Sequence, residues 1–208
     1  MSHESAGSAL GRRERKKRQT RDALIDAALR LVAERGLENV TVEEISEAAD
    51  VSSRTFFNYF GSKDEAITGD HVVDGVEIGE RLAAIPPEIP TIHAIRLALA
   101  PTVVQMQTDQ ERWFLRMQVL TSNPDLLPRL LTRSAEAERA MVAAVAVRTG
   151  VGPDHGYPLL VTTTTGAAYR TAMIRWAAYA GTVSLTELVD EAFADLAAGL
   201  PDPARPQA

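Results

Sequence analysis

The stretch from residue 41 to residue 63, TVEEISEAADVSSRTFFNYFGSK, constrains the fold more than any other part of the chain. Thr41, followed three residues later by Glu44, is a capping box that marks the beginning of a helix. Apolar residues recur at helical spacing behind it and predict its buried face: Val42, Ile45, Ala48 and Ala49. After a short break, Ser52 is the expected N-cap of a second helix that runs to Phe60. The stretch therefore predicts two short helices joined by a tight turn.

The second of these helices has a buried and an exposed side. Phe56 and Phe60 lie four residues apart and should face the core. The outward positions are polar or aromatic: Ser53, Arg54, Phe57 and Asn58. Gly61 is expected to end the helix, and Ser62 with Glu65 forms a capping box for the next one. Exposed aromatic and amide groups are hard to explain on a purely structural hairpin. We therefore interpret the pair as a helix–turn–helix whose second helix enters the major groove of DNA.

Charge is distributed unevenly along the 208 residues. The net charge is −6, yet the segment from residue 12 to residue 21 reads RRERKKRQTR. A basic end on an acidic body is typical of a protein that binds nucleic acid through one end. Lys16, Lys17 and Arg18 are therefore candidate contacts to phosphates or to the minor groove. The alternative is a solvated tail that contacts nothing.

The residue types that catalysis would need are missing or scattered. The chain has no cysteine, which excludes disulfides, thiolate nucleophiles and cysteine-bound zinc. Four histidines lack the spacing of metal ligands: His3, His71, His93 and His155. No metalloprotease, serine-hydrolase, phosphate-loop or dinucleotide motif occurs. We expect a protein that is not an enzyme and needs no metal or cofactor.

The sequence also bears on location. Residues 1–11 lack the apolar core of a signal peptide. No segment has the length and apolar character of a membrane span. The expected location is the cytoplasm, without membrane association.

Helical periodicity predicts an all-α chain of about nine helices. They should cover about residues 19–35, 41–49, 53–60, 63–84, 91–108, 110–122, 128–149, 157–180 and 184–198. Thr91 and Ser184 are expected caps, and Pro101 is expected to kink or split its helix. The β-branched run from Val161 to Thr165 could form a strand, but the chain offers no partner strand.

These elements suggest four segments. Residues 1–18 would be a flexible basic arm and residues 19–66 a three-helix DNA-binding head. Residues 67–200 would be a helical body for ligand binding and dimerisation, and residues 201–208 a flexible tail.

The segment from residue 19 to residue 67 resembles the DNA-binding domain of the TetR family of one-component bacterial regulators. The resemblance rests on an amphipathic first helix followed by TVEEIxxAA, VSSRTFFNYF and GSKDEAI. It implies a two-fold homodimer on a palindromic operator, since one short helix reads too few base pairs to be selective. The last two helices would form the interface, through small and apolar residues: Ala168, Ala172, Leu185, Leu188, Val189, Ala192, Phe193 and Leu196.

The resemblance also implies a division of roles on DNA. Three side chains would contact phosphates, which fix register without reading sequence: Thr41, Tyr59 and Lys63. Base reading would fall to the second helix, through Ser53, Arg54, Thr55 and Asn58, and its cap Ser52 is a further candidate DNA contact. Phe57 stands where the family often has tyrosine. Apolar contact with a thymine methyl or a sugar would then replace a phosphate bond.

The body is expected to bind a small hydrophobic effector. The candidate contacts are aromatic, sulfur-containing, aliphatic and basic residues: Met106, Trp113, Arg116, Met117, Leu120, Tyr169, Arg170 and Met173. A weaker resemblance to acyl-CoA-responsive actinobacterial regulators, including the mycofactocin type, implies an acyl-CoA-like effector. It rests on SSRTFFNYF, NPDLLPRLL and DEAFADLAAGL. The alternative is a planar or cationic drug-like molecule. A buried Arg116 could instead pair with Glu111, Glu136 or Glu138.

Together these features predict a sequence-specific DNA-binding repressor whose operator affinity falls when the effector binds. The alternatives are an architectural DNA-binding protein that senses no ligand, and a helical enzyme. A hydrophobic pocket in the body would separate the repressor from the architectural protein. A specific operator footprint would separate it from the enzyme.

Overall fold

The computed structural model describes the backbone of residues 4–69, 74–152 and 154–202, with side chains from residue 15 onward. These residues form ten α-helices and two 3₁₀ turns, and no strand occurs among them. The α-helices are α1 (Glu4–Arg35), α2 (Val42–Ala48), α3 (Ser53–Phe57), α4 (Lys63–Thr68), α5 (Gly75–Ala84), α6 (Thr91–Thr108), α7 (Gln110–Ser122), α8 (Leu127–Thr149), α9 (Gly156–Ala178) and α10 (Leu185–Ala197). The 3₁₀ turns are Leu37–Asn39 and Pro124–Leu126. The predicted all-α class is confirmed, and none of the described helices combines the length and hydropathy of a membrane span.

The helices form two compact units. The first comprises Met1–His71 and Glu111–Leu130, and the second Val72–Gln110 and Leu131–Ala208. The first unit has one continuous apolar core that includes Leu24, Ile25, Leu29, Ile45, Phe56, Phe60, Ile67, Val119, Leu120 and Leu126. The last three belong to α7 and the turn after it. A helix outside the predicted head of residues 19–66 thus completes the core that supports α2 and α3.

Two arginines add polar contacts inside the first unit. Arg112 on α7 contacts Asp26 of α1 with two nitrogens, Nε to Oδ1 at 2.6 Å and Nη2 to Oδ2 at 3.0 Å. Such a two-pronged pair holds both partners in one orientation. Arg129 in the first turn of α8 donates to the Ser62 hydroxyl at 3.3 Å and lies 3.4 Å from Asp64. These pairs fix α7 and the beginning of α8 against α1 and α4.

In the second unit, α6 packs against α5, α9 and α10, and α10 also packs along α9. The buried face of α10 carries Leu185, Leu188, Val189 and Phe193. Helix α5 passes very close to α8, since a Cβ on Gly75 would lie 2.2 Å from the Ala137 carbonyl oxygen. No side chain fits there, so glycine is required by the crossing of the two helices.

Several helix boundaries differ from the predicted ones. Helix α1 begins at Glu4 and not near residue 19, so the segment predicted as a flexible arm continues the first helix. Its arginine, lysine, glutamate and alanine residues favour helix. Helix α3 ends at Phe57, with Asn58 as C-cap. Gly61 lacks the positive φ of a helix-ending glycine, and the prediction that it caps this helix is wrong.

The single helix predicted for residues 63–84 is also wrong, because the chain forms two. Helix α4 ends at Thr68, and α5 begins after Asp74. The Asp74 carboxylate accepts from the backbone N–H groups of Val76 at 2.9 Å and Glu77 at 3.2 Å. This local cap starts a new helix, and sequence periodicity alone does not register it.

Smaller corrections concern α2 and α6. Ala48 is exposed, and Ser46 is buried in its place, its hydroxyl donating to the Val42 carbonyl at 2.7 Å. Helix α6 runs unbroken through Pro101, whose ring is exposed. Proline removes one backbone hydrogen bond, and packing on both sides of it outweighs that loss. Thr91 is the first residue of α6 and not its cap.

Candidate nucleic-acid interface

The capping box predicted at the start of α2 is present. The Thr41 hydroxyl accepts from the Glu44 N–H at 3.2 Å, and Glu44 Oε2 accepts from the Thr41 N–H at 2.8 Å. The backbone bond from Thr41, followed by the bond from its hydroxyl, lowers the pKa of the Glu44 carboxyl. Arg35 at the end of α1 donates to the same carboxylate at 3.1 Å. The exposed Thr41 is thus fixed at a helix N-terminus, where N–H groups favour an anion.

Helix α3 presents one face to solvent and anchors the other. The Ser52 hydroxyl accepts from the Thr55 N–H at 3.2 Å and lies 3.0 Å from the Thr55 hydroxyl, which confirms the predicted N-cap. The buried rings of Phe56 and Phe60 lie 5.6 Å apart between centroids. The outward positions include two exposed polar side chains and a phenylalanine that is 56% exposed: Arg54, Asn58 and Phe57. Ser53 is half-buried.

Two further contacts hold this element in place, and the sequence does not indicate either. Lys63 Nζ donates to the carbonyls of Leu37 at 2.6 Å and Val40 at 2.8 Å, which ties the start of α4 to the segment before α2. The guanidinium of Arg21 on α1 lies 5.0 Å from the centre of the Phe60 ring, within cation–π distance. An ammonium has three donors, and these two bonds use two of them.

The basic run occupies one turn of α1. Arg15, Lys16, Lys17 and Arg18 are all exposed. Consecutive helical residues point about 100° apart, so these four cannot all reach one duplex. A shallow groove near α3 carries the opposite charge, being lined by Glu43, Ser46, Glu47, Asp50, Val51, Ser52 and Ser53. Its carboxylates disfavour phosphate on that side.

The residues predicted to bind an effector divide between the two units. Trp113, Arg116, Met117 and Leu120 belong to the first, while Met106, Tyr169, Arg170 and Met173 belong to the second. Leu120 lies in the core of the first unit, and Met117 packs against that core. Arg116 is 4% exposed, whereas Arg170 is exposed on the surface of α9.

Tyr169 is the candidate whose pKa is shifted by burial. Its hydroxyl donates to Met106 Sδ at 3.6 Å, and burial raises the pKa of the phenol to about 12. The side chain is therefore a neutral hydrogen-bond donor at any ordinary pH.

Most residues predicted for a dimer interface are used inside the chain. Five are 6% exposed or less: Ala172, Leu185, Leu188, Val189 and Phe193. Ala168, Ala192 and Leu196 are only partly exposed. The stripe of α10 covers α6 and α9 of its own unit, so these five residues already pack inside the chain. The outer face of α9 instead exposes Leu160 and Ile174 at 61% and 64%.

Comparison with known proteins decides the family. Residues 89–201 match the family model described as the MftR C-terminal domain, and residues 24–66 match that of the bacterial regulatory proteins of the tetR family. The chain belongs to the TetR family of transcriptional regulators. The resemblance inferred from the helix–turn–helix is thereby confirmed. In this TetR-family chain, the second match begins within α1 and ends within α4, so it includes all of α2 and α3.

Curated relatives of this TetR-family protein are transcriptional regulators. The chain is 30% identical over 200 residues to the putative mycofactocin biosynthesis transcriptional regulator MftR of Mycobacterium tuberculosis, which covers 96% of this chain and 98% of that protein. It is 33% identical over 160 residues to the regulator TcmR of Streptomyces glaucescens, over 74% of this chain and 70% of that one.

Solved structures show the same fold at low identity. The SmeT–triclosan complex matches with a TM-score of 0.59 and 16% identity, over 89% of this chain and 99% of that one. The fatty acid degradation regulator FadR of Bacillus halodurans matches with a TM-score of 0.58 and 18% identity, over 87% and 96%.

Proposed function

We propose that this TetR-family protein is a homodimeric repressor that binds a palindromic operator and releases it when a small hydrophobic effector binds the second unit. The observation that carries the proposal is the outward face of α3. Arg54, Phe57 and Asn58 are exposed on a helix whose opposite face is anchored by Phe56 and by the Ser52 cap. A side chain reads bases only when its helix is held in place, and this one is.

On DNA we assign base reading to Arg54 and Asn58, which suit guanine and adenine respectively. The Ser52 and Thr55 hydroxyls already bond within α3, so they contribute less to recognition than the sequence implies. Phosphate contacts are assigned to Thr41, Tyr59 and Lys63, and to those of Lys16, Lys17 and Arg18 that face the duplex. Such contacts supply affinity that falls with salt and little sequence preference.

A second copy of the chain is proposed on the outer face of α9. Leu160 and Ile174 are more than half exposed, and small residues lie between them on the same helix. Exposed apolar surface of this kind is typical of an interface. A two-fold dimer would place two copies of α3 about one helical turn of DNA apart, or a multiple of it. Since its partner is chromosomal DNA, we place the protein in the cytoplasm and assign it no enzymatic activity.

The effector is proposed to be small and mainly apolar. Two observations support this: the Tyr169 hydroxyl of the second unit donates to a thioether, that of Met106, and the chain is similar in fold to SmeT, whose structure contains triclosan. An acyl-CoA-like ligand stays a candidate, because the chain is similar to a putative mycofactocin regulator over nearly the full length of both proteins.

The test is a mobility shift and footprint on the DNA upstream of the protein's own reading frame, at fixed salt, with and without a long-chain acyl-CoA. Arg54→Ala should weaken binding by about 1–3 kcal/mol and relax the preference at one base position. Arg139→Ala removes an exposed arginine of α8 and should leave binding unchanged. Parent-like affinity of Arg54→Ala would refute the assignment of α3. A shift that no apolar ligand releases would favour the architectural alternative.

A further inference from the structure

The inward face of α9 contains polar groups that the protein itself satisfies poorly. Thr162, Thr165, Tyr169, Met173 and Trp176 recur at spacings of three and four residues, so they share one side of the helix. Thr165 donates its hydroxyl to the Val161 carbonyl at 2.7 Å and is satisfied. Thr162 is only 8% exposed, and among the described residues its hydroxyl has no hydrogen-bond partner.

Tyr169 is in a similar position seven residues further along. Its hydroxyl is directed at the thioether of Met106, 3.6 Å away. A thioether is a weak acceptor, so the phenol donates much less strongly than it could to an oxygen. Methionine is also flexible and fills gaps that other groups can occupy. Met106 can therefore give way to a ligand, and the Tyr169 hydroxyl gains a better acceptor when it does.

The positions of the charged side chains near this face limit the kind of ligand that it can bind. Arg170, on the same helix, is exposed, and Arg175 pairs with Glu191 of α10 at 2.8 Å. No charged side chain is among the buried residues that the structure describes in the second unit. A charged group buried beside α9 would therefore meet no fully buried counter-ion among these residues and would lose its hydration.

We propose that the second unit selects a neutral, mainly apolar ligand by a hydrogen bond from the Tyr169 hydroxyl to a carbonyl oxygen of that ligand. Thr162 lies about 10 Å away along the helix axis and meets a second polar group if the ligand is long enough to carry one. This inference rests on the proposed effector site. It excludes ligands that would bury a carboxylate or an ammonium beside α9.

The experiment uses the full chain and three probes of one shape: 2-acetonaphthone, 2-ethylnaphthalene and 2-naphthoate. Binding is followed by quenching of tryptophan fluorescence. The ketone should bind about three- to tenfold more tightly than the hydrocarbon, since the two differ by one hydrogen-bond acceptor. The carboxylate should bind more weakly than either.

Tyr169→Phe should remove the preference for the ketone and leave binding of the hydrocarbon unchanged. Tyr157→Phe is the matched control, since it changes a tyrosine of the same helix that is 39% exposed, and should keep the preference. A thermal melt of each variant checks that it is folded. The proposal is overturned if Tyr169→Phe keeps the preference, if naphthoate binds as well as the ketone, or if the parent binds no ketone up to its solubility.

A mobility shift on the same variants separates this inference from the proposed function. Tyr169→Phe should bind operator DNA like the parent when no ligand is present, because the changed residue lies in the second unit. If the parent bound no DNA but kept the ketone preference, the repressor function would fail while the ligand inference stood. If the parent bound operator DNA but showed no preference for the ketone, the ligand inference would fail while the repressor function stood.

Discussion

Replacing Arg148 should destabilise the second unit more than any other single arginine substitution there. Its guanidinium, on the last turn of α8, donates to four backbone carbonyls: Leu82 at 3.2 Å, Ile85 at 2.8 Å, Pro86 at 2.7 Å and Ile89 at 2.9 Å. These carbonyls belong to the end of α5 and the loop after it. No carboxylate is involved in any of these four bonds.

The loop explains why an arginine is needed. The segment IPPEIP contains three prolines, which have carbonyls but no N–H groups. Its acceptors therefore outnumber its backbone donors. The end of α5 adds the negative end of a helix dipole and the Leu82 carbonyl, which also accepts from the Ile85 N–H at 3.2 Å. The guanidinium of Arg148 has several N–H donors in a rigid plane and a permanent positive charge. It can therefore bond to the carbonyls and also interact favourably with the negative end of the helix dipole.

The magnitude follows from these bonds. A hydrogen bond to a charged group contributes about 1.5–3 kcal/mol to stability, so four independent bonds would reach about 6–12 kcal/mol. The true loss is smaller, because the bonds share one side chain and water can reach part of the loop once the arginine is gone. We expect Arg148→Met to cost about 2–4 kcal/mol, which lowers Tm by roughly 5–15 °C in a chain of this size.

Thermal unfolding followed by circular dichroism measures this loss. Arg139→Met is the matched control, because it removes an exposed arginine from the same helix and should shift Tm by no more than about 2 °C. Arg148→Lys keeps the charge but not the fork, and should fall between the two. An Arg148→Met protein that melts with the control would show that the loop carbonyls are satisfied by water, and the reasoning would be refuted.

Three further predictions test other contacts. Gly75→Ala should lower the free energy of unfolding by about 2–3 kcal/mol, because the added Cβ would lie 2.2 Å from the Ala137 carbonyl oxygen. Gly79→Ala is the comparison: its added Cβ would lie 3.1 Å from the Ala144 Cβ, so it should lower stability less in the same thermal melt. Gln107→Leu should cost about 1–2 kcal/mol in urea unfolding, because the Gln107 carboxamide accepts from the Leu185 N–H at 2.7 Å and caps α10; an unchanged midpoint would contradict this. Because the pKa of Glu44 is lowered in the folded state, its carboxylate contributes to folding stability above pH 4.5, the ordinary pKa of the group. That contribution is lost as pH falls through the folded-state pKa. The Tm difference between the parent and Glu44→Gln should therefore shrink from pH 7 to about pH 3, and a constant difference would count against the capping box.

The local chemistry of the helix–turn–helix could be predicted from the sequence. Thr41, Glu44 and Ser52 act within three residues of their partners, so their spacing alone states the contact. The inward direction of Phe56 and Phe60 follows from helical periodicity in the same way. The sequence could not show two long-range contacts. Lys63 bonds to carbonyls 23 and 26 residues earlier, and Arg148 bonds to a loop that includes Ile89, 59 residues earlier. Every residue has a backbone carbonyl, so a side chain that bonds to backbone does not restrict the residue types of its partners.

The interface residues stay a prediction, because a helical stripe is limited in what it can show. An amphipathic stripe shows that one side of a helix is buried, and it carries no information about whether the covering surface belongs to the same chain or to a second copy. The stripe of α10 ends against α6 and α9, leaving Phe193 2% exposed before any partner arrives. The residues free to meet a partner are those that periodicity assigns to solvent, such as Ile174 at 64% exposure. A large apolar side chain on the outward face of an otherwise well-buried helix is therefore a better indicator of a subunit interface than the stripe itself, because the chain's own core cannot account for it.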